Sequence, residues 1–328
     1  MDNLTRAYYE SRFEVSYLKK KEKAFQDWFS EIMEKCHPAD FQRVRPWGNI
    51  GDRKNDGYLK SERMLFQVYA PNEMTAAKAI AKIDEDFNEA LPYWRMFFDI
   101  WAFVHNSMDG LGPDITEKLL ALEATNEPVK LLPWGFEELR QRVFKLNDAD
   151  LYSLLGPAPT NKELLNLRFE NLQVVLLTIA QQQPPLNPTI GPVPADKIQI
   201  NGLSNNVAIL LNAGRQKSDL VKQFFDKWHD PMFGDQIAEA FRQQYQNLKS
   251  SGLPPDLIFY ELQSYAGGTT LTEPAIQAAV LAVLAFYFEQ CDIFEERLAE
   301  DKPLVGDDDI PSAPTSDETQ EVSDDPSD

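Results

Sequence analysis

Apolar residues recur at helical spacing in the segment 20–36 and would share one face of a helix. They are Phe25, Trp28, Phe29, Ile32, Met33 and Cys36. The pattern predicts an amphipathic helix that ends before Pro38, because the residue preceding a proline resists the helical region. Glu22 projects onto the same apolar face. It is either a hydrated residue of a frayed first turn or a functional carboxylate.

Short apolar and alternating runs follow this helix and predict strands at 41–47, 56–70, 94–106 and 127–135, the second forming a hairpin whose second arm is 64–70. Between them, helical patterns occupy 72–91, 112–125 and 136–146, the first with Thr75 as its cap and Pro92 as its stop. The element order is therefore α, β, β, β, α, β, α, β, α. Strands that alternate with helices indicate a sheet with parallel members.

The second half of the chain reads as helical. A break at 155–160 precedes a helical stretch at 162–183, and five prolines in the segment 184–197 predict a stiff linker. Further helical patterns run from Leu203 to about Arg297. We therefore expect an α/β domain at 1–160, a helix and linker at 161–202, an all-α domain at 203–298 and a disordered acidic tail at 299–328.

The most apolar run, at 275–288, has 14 residues and is bounded by Glu273 and Glu289. A membrane span needs about 20 apolar residues, so the run predicts a buried core helix and no membrane association. The N-terminus has no apolar signal core, and Cys36 and Cys291 lie too far apart in sequence to suggest a disulfide framework. These features predict a cytoplasmic protein.

The charge is strongly negative and unevenly distributed. The chain has 32 basic and 52 acidic residues, a net charge of −20, and residues 301–328 carry nine of those charges with ten acidic residues and one lysine. A broad footprint for duplex DNA needs clustered basic residues, which these totals do not suggest. A local basic patch is still compatible with the remaining residues.

Candidate chemistry lies in "GDRKNDGYLKSERMLFQVYAP", residues 51–71. With the αβββαβ order, this segment resembles the restriction-endonuclease-like fold of the PD-(D/E)XK group. The resemblance implies that Asp56 and Gln67 bind Mg²⁺, that Glu22 joins them from the first helix, and that a lysine assists two positions after Gln67. Side chains at i and i+2 of a strand share a face, which explains the spacing.

The lysine position holds Tyr69, which brings no positive charge to a phosphate. Lys54, Lys60 and Lys78 are close enough in sequence to be considered as replacements, and we take Lys54 with Glu22, Asp56 and Gln67 as the candidate set. The candidate set is compatible with an active nuclease and with a degenerate domain that only recognises its ligand. The plainer structural interpretation is an Asx-type turn before Gly57 and a buried Gln67 that is hydrogen-bonded to a neighbour. It explains less well why Trp47, Asp52 and Asn55 would crowd the same region as Asp56 and Gln67.

Outside this segment, His105 ends a predicted buried strand, where sites often lie in α/β sheets. A core or capping histidine is the plainer interpretation of His105. No Gly-rich phosphate loop or nucleophile elbow is present in the sequence.

The stretch 210–268, followed by "QAAVLAVLAFYFEQCDIFEE", resembles the C-terminal domain of bacterial ABC-three-component systems. The segments "VRPWGNIGDRKNDGYL", "FQVYAP", "FVHN" and "LLGPAPT" resemble one of their variable N-terminal domains. The resemblance implies a role in antiviral or anti-plasmid conflict, with an ABC ATPase and a small middle component as partners. The α/β domain would recognise nucleic acid, such as DNA, or a partner. The alternatives are an active Mg²⁺-dependent DNA nuclease and a non-catalytic adaptor.

Overall fold

A computed structural model describes residues 1–44, 53–181, 197–267, 273–290 and 293–294. Within these ranges the strands are β1 (Phe41–Arg43), β2 (Gly57–Leu59), β3 (Met64–Tyr69), β4 (Ile100–His105) and β5 (Lys130–Trp134). The helices of the first half are α1 (Asn3–Lys19), α2 (Glu22–Cys36), α3 (Ala76–Trp94), α4 (Pro113–Thr125), α5 (Phe136–Val143) and α6 (Asp148–Leu155). Those that follow are α7 (Asn161–Leu165), α8 (Phe169–Ala180), α9 (Lys197–Ile200), α10 (Asn205–Arg215), α11 (Ser218–Lys227), α12 (Phe233–Ser250), α13 (Pro255–Tyr265) and α14 (Pro274–Glu289).

The five described strands form one mixed sheet in the order β1-β2-β3-β4-β5. Strands β1, β2 and β3 are antiparallel neighbours, whereas β3, β4 and β5 run parallel. The hairpin expected at 56–70 and the parallel members of the sheet are therefore confirmed. The N-terminal half is mixed α/β and the C-terminal half is mostly helical.

The two faces of the sheet bury different residues. Phe66 of β3 packs in the core that also contains α2 and α5, whereas Leu65 packs in a second core with residues of α3 and α4. This alternation follows from the two-residue period of a strand. The sheet is thus covered on both faces, as its parallel members require.

Helix α1 was not predicted from the sequence, and it joins the two halves of the chain. Asp2 caps it by accepting a hydrogen bond from the Thr5 amide at 2.8 Å, and the helix packs against α10 and α13. Tyr8 donates its hydroxyl hydrogen to Gln277 of α14 at 2.9 Å, and Tyr17 donates to the His105 carbonyl at 2.7 Å. One continuous apolar core therefore includes residues of both halves.

The apolar run at 275–288 is a buried helix, as predicted. Along α14 almost every side chain is buried, including Val280, Leu284 and Tyr287. Helix α10 crosses it closely at Gly214, where an added Cβ would lie 2.2 Å from the Leu281 carbonyl oxygen. Within the described residues, no helix is both long and apolar enough to cross a membrane.

Several element boundaries differ from the sequence prediction. Helix α3 begins after the Thr75 cap as expected, but it continues through Pro92 to Trp94, and β4 begins only at Ile100. The helical stretch 162–183 divides into α7 and α8, and α6 was not predicted. The Pro-rich segment from 184 to 196 and the acidic tail lie outside the described residues, so the domain boundaries stay predictions.

Candidate functional site

Two of the predicted site residues lie side by side at one end of β2 and β3. Gly57 pairs with Phe66 in the antiparallel ladder, so Asp56 and Gln67 occupy adjacent positions just beyond that pair. The Asp56 amide donates to the Phe66 carbonyl at 2.9 Å. Both side chains are buried, Asp56 with 4% and Gln67 with 6% of their surface exposed. We call this region, together with the side chains that contact Asp56, the corner.

The Asp56 carboxylate accepts hydrogen bonds from the protein on both oxygens. Oδ2 accepts from the Val68 amide at 2.7 Å, and Oδ1 accepts from the side-chain amide of Gln26 on α2. Strand β2 begins only at Gly57, so the Asp56 side chain satisfies a β3 amide that has no ladder partner there. The carboxylate therefore has a structural task, which is to join β3 to α2.

Gln67 is buried on the face of the sheet that packs against α3 and α4, because it lies two positions from Leu65 and from Tyr69 on the same strand and so shares their face. Its Oε1 accepts no hydrogen bond from the described residues, and the Nδ2 of nearby Asn55 is likewise unpaired. A buried carbonyl oxygen without a donor costs free energy. Gln67 is therefore the buried residue of the predicted set whose oxygen could still accept a donor or a cation.

Tyr69, at the position where the resemblance expects a lysine, is part of the apolar packing. Its ring centroid lies 6.0 Å from that of Phe103, and Tyr69 pairs in register with His105 of β4. The phenol is half-buried. No charge replaces the missing lysine at this position.

Lys54 is held by carboxylates of α3. Its ammonium contacts Glu85 and lies 3.2 Å from Asp86 Oδ1 and 3.5 Å from Glu89 Oε2. Burial lowers the pKa of Lys54, but hydrogen bonds to Glu85 and Asp86 outweigh it and raise the pKa above its ordinary value. The positive charge of Lys54 is thus balanced by carboxylates of α3. Lys60 and Lys78, the other candidates, are exposed.

Glu22 begins α2 near the end of β3 but turns to another partner. Its amide donates to the Ala70 carbonyl at 2.6 Å, and its carboxylate accepts from Asn72 Nδ2 at 3.1 Å. The side chain is exposed. The α2 residue that reaches Asp56 is Gln26, one turn later, which the sequence analysis missed although i and i+4 share a helix face.

A divalent cation requires several oxygen or nitrogen ligands that face one point. Within the described residues, no group of three or more His, Cys, Asp or Glu side chains could hold a metal ion. The corner offers one engaged carboxylate and one unpaired amide oxygen. Trp47 and Asp52, which the sequence analysis placed here, lie outside the described residues.

His105 lies at the same edge of the sheet, next to Tyr69. It is 3% exposed, and burial lowers its pKa to about 4, opposed by the negative charge of Glu138. Its Nδ1 accepts from the Ser107 amide at 3.3 Å, and an added Cβ at Gly135 would lie 2.8 Å from its Cε1. The imidazole is therefore neutral near pH 7 and tightly enclosed.

Comparison with known proteins identifies the helical half. Residues 170–295 match the family model described as C-terminal domain 10 of the ABC-three component (ABC-3C) systems. This match indicates a component of such a system. No curated protein and no solved structure matches the chain.

Proposed function

We propose that this chain is the component of an ABC-3C conflict system that recognises a nucleic acid or a partner through its α/β half. Its helical half docks the other components, an ABC ATPase and a small middle protein. The match of residues 170–295 to C-terminal domain 10 supports the docking role. The described part of that half also presents a cleft of about 250 Å³ between α11, α12 and α14, lined by Phe225, Asp226 and Tyr287 among others.

The observation that favours recognition over hydrolysis is the state of Asp56. Both of its oxygens accept hydrogen bonds from the protein, and the nearest candidate lysine, Lys54, is paired with α3 carboxylates. Metal-assisted hydrolysis needs unengaged ligands that face the metal. Recognition by a rigid surface does not require the Asp56 carboxylate or the Lys54 ammonium to be unengaged.

Co-expression tests this function. The tagged full-length chain is expressed with the ABC ATPase and the small protein encoded beside it, and we expect all three to co-purify. Fluorescence anisotropy with labelled DNA and RNA, added to the chain alone and to the complex, then separates a nucleic-acid ligand from a protein partner. A chain that elutes alone after co-expression with both partners would contradict the docking role.

A second candidate, Mg²⁺-dependent DNA cleavage, is favoured by the unpaired Oε1 of Gln67 beside Asp56. Cation binding there would require the Gln26 contact to open. Plasmid nicking in Mg²⁺ or Mn²⁺ tests it with wild type, Asp56→Asn and Gln67→Met. Cleavage by wild type that disappears in both folded variants would establish the nuclease and displace the recognition proposal.

A further inference from the structure

A second polar region lies at the opposite end of α2. Around the carboxyl ends of α2 and α5 there is a cleft of about 580 Å³, within the size range of small-molecule sites. We call it the basic cleft, and its polar lining includes Lys35, Cys36, His37, Glu62, Arg142 and Lys145. Helix α2 has 15 residues, which places the cleft about 22 Å from the corner end of that helix.

Helix ends explain part of this charge. The last turn of a helix carries a partial negative charge that favours lysine and arginine nearby. Lys35 occupies the last turn of α2, with its ammonium 3.5 Å from Asp150 and 3.0 Å from Ser153 Oγ. Lys145 lies just after α5, is exposed, and forms no ion pair with the described residues. The helix dipoles, together with Asp150 in the case of Lys35, account for these two lysines.

Arg142 requires a further explanation, because it is half-buried. Its guanidinium carbon lies 3.6 Å from the centroid of the Trp134 ring, and Nη1 donates to the Glu138 carbonyl at 2.9 Å. No carboxylate of the described residues lies within ion-pair distance of it, and burial lowers its pKa. Two residues earlier on the same helix, Arg140 forms two hydrogen bonds of 2.7 Å with Glu10. The negative charges of Glu62 and Glu138 oppose the effect of burial on the pKa of Arg142 from beyond ion-pair distance. A partly desolvated cation without a direct ion pair is costly, and a bound anion would offset that cost.

The other lining groups leave the cleft positive. Glu62 is the one carboxylate among its lining residues and, with Lys35 paired to Asp150, it is set against Arg142 and Lys145. Cys36 adds no reactive group, because burial raises the pKa of its thiol to about 11. The cleft is therefore a local excess of positive charge on a chain whose net charge is −20.

We infer that the basic cleft binds a phosphomonoester, with Arg142 and Lys145 as its charged contacts. Arginine offers a planar fork and lysine a compact point charge, and the two together suit a dianionic phosphate. The phosphate belongs either to a free nucleotide, which the cleft volume accommodates, or to the 5′ end of a nucleic-acid strand. This site lies apart from the corner. A free nucleotide there goes beyond the proposed function, whereas a strand end would specify the proposed nucleic-acid recognition and rests on it.

Isothermal titration of the full-length chain with four probes tests the inference. The probes are AMP, adenosine, a short oligothymidylate with a 5′-phosphate and the same strand without it. We expect at least one phosphorylated probe to bind and its unphosphorylated counterpart not to bind. Binding of AMP identifies a free nucleotide as sufficient, whereas binding of the phosphorylated strand alone identifies the strand end.

Variants separate the cleft from the rest of the surface. Arg142→Met keeps the packing on Trp134 and should weaken phosphate binding about tenfold or more, and Lys145→Gln should weaken it several-fold. Glu62→Gln removes the opposing carboxylate and should tighten binding, a gain that a folding defect cannot produce. Lys23→Gln is the matched control at the other end of α2, where the lysine pairs with Asp27 at 2.7 Å.

Three results would overturn the inference. One is the absence of binding by every probe at millimolar concentration. Another is equal binding of phosphorylated and unphosphorylated partners, which would exclude recognition of the phosphate. The third is a phosphate affinity that neither Arg142→Met nor Lys145→Gln changes in folded protein.

Discussion

The polar groups near the two ends of α2 differ in whether other residues of the protein pair with them. Near the beginning of α2, the Asp56 carboxylate accepts hydrogen bonds from Gln26 and Val68. The Lys54 ammonium is paired with carboxylates of α3. Near the carboxyl end of α2, Arg142 of α5 lies half-buried with no carboxylate of the described residues within ion-pair distance, although the charge of Glu62 acts on it. A residue's type therefore identifies possible chemistry, whereas its partners decide whether that chemistry is available.

The largest expected effect is at Asp56. Asp56→Ala leaves the Val68 amide without its acceptor in a buried position and should lower the free energy of unfolding by about 3 kcal/mol. Urea denaturation of the full-length chain measures it. Gln26→Ala, which removes the second donor and keeps the first, should cost less, about 1 kcal/mol. Equal stability of wild type and Asp56→Ala would show that the carboxylate is not structural.

The enclosed His105, next to Tyr69 at the corner end of the sheet, predicts a pH dependence. Its pKa is about 4 in the folded chain and near 6.5 when unfolded, so the unfolded state binds more protons between these values. Stability should therefore fall by up to about 3 kcal/mol as the pH drops from 6.5 to 4. The difference between wild type and His105→Gln, measured by denaturation at several pH values, should shrink in that window. A pH-independent difference would contradict the burial of a neutral imidazole.

Two arginines of α5 offer a matched test of paired and unpaired charge. Arg140→Met leaves Glu10, which is 7% exposed, with Arg6 as its remaining partner, and should cost about 2 kcal/mol. Arg142→Met keeps an apolar stem on Trp134 and removes a half-buried charge that has no direct ion pair among the described residues, so stability should change by less than about 1 kcal/mol. Thermal or urea unfolding compares the two. Similar losses of unfolding free energy in both variants would mean that the contacts of Arg142 within the protein already stabilise its charge.

The smallest effect is expected at Glu22. Its carboxylate is exposed and accepts one hydrogen bond from Asn72, so Glu22→Ala should change the unfolding free energy by less than about 0.5 kcal/mol. The same urea experiment measures it and serves as the surface control for Asp56→Ala. A loss of more than about 1 kcal/mol would place Glu22 in the structural network of the corner.

Local sequence patterns predicted much of the fold. The spacing of Phe25, Phe29 and Ile32 predicted α2, Thr75 predicted the start of α3, and the run of alanine and valine after Pro274 predicted a buried α14. The pairing of Asp56 with Gln67 was an implication of the restriction-endonuclease-like resemblance, and the register of the hairpin places the two residues side by side. These features depend on spacing or on a turn, which neighbouring residues decide.

What the sequence could not predict depends on contacts between distant elements. Gln26 reaches Asp56 across 30 positions, and Lys54 meets α3 only after the chain has crossed the sheet. Helix α1 was missed because charged residues interleave its aromatic ones, and Tyr8 finds its partner 269 positions away. The absence of a direct ion pair at Arg142 within the described residues is equally invisible in the sequence, because Arg140, two residues before it, has one.

The most direct test of the account is a Mn²⁺ titration followed by electron paramagnetic resonance, which records the free ion. Because both oxygens of the corner carboxylate accept hydrogen bonds from the protein, wild type and Asp56→Asn should give the same titration curve. Any weak binding by the acidic residues 301–328 is shared by both chains and cancels in the comparison. A wild type that binds one more equivalent of Mn²⁺ than folded Asp56→Asn would contradict the claim and restore the metal site.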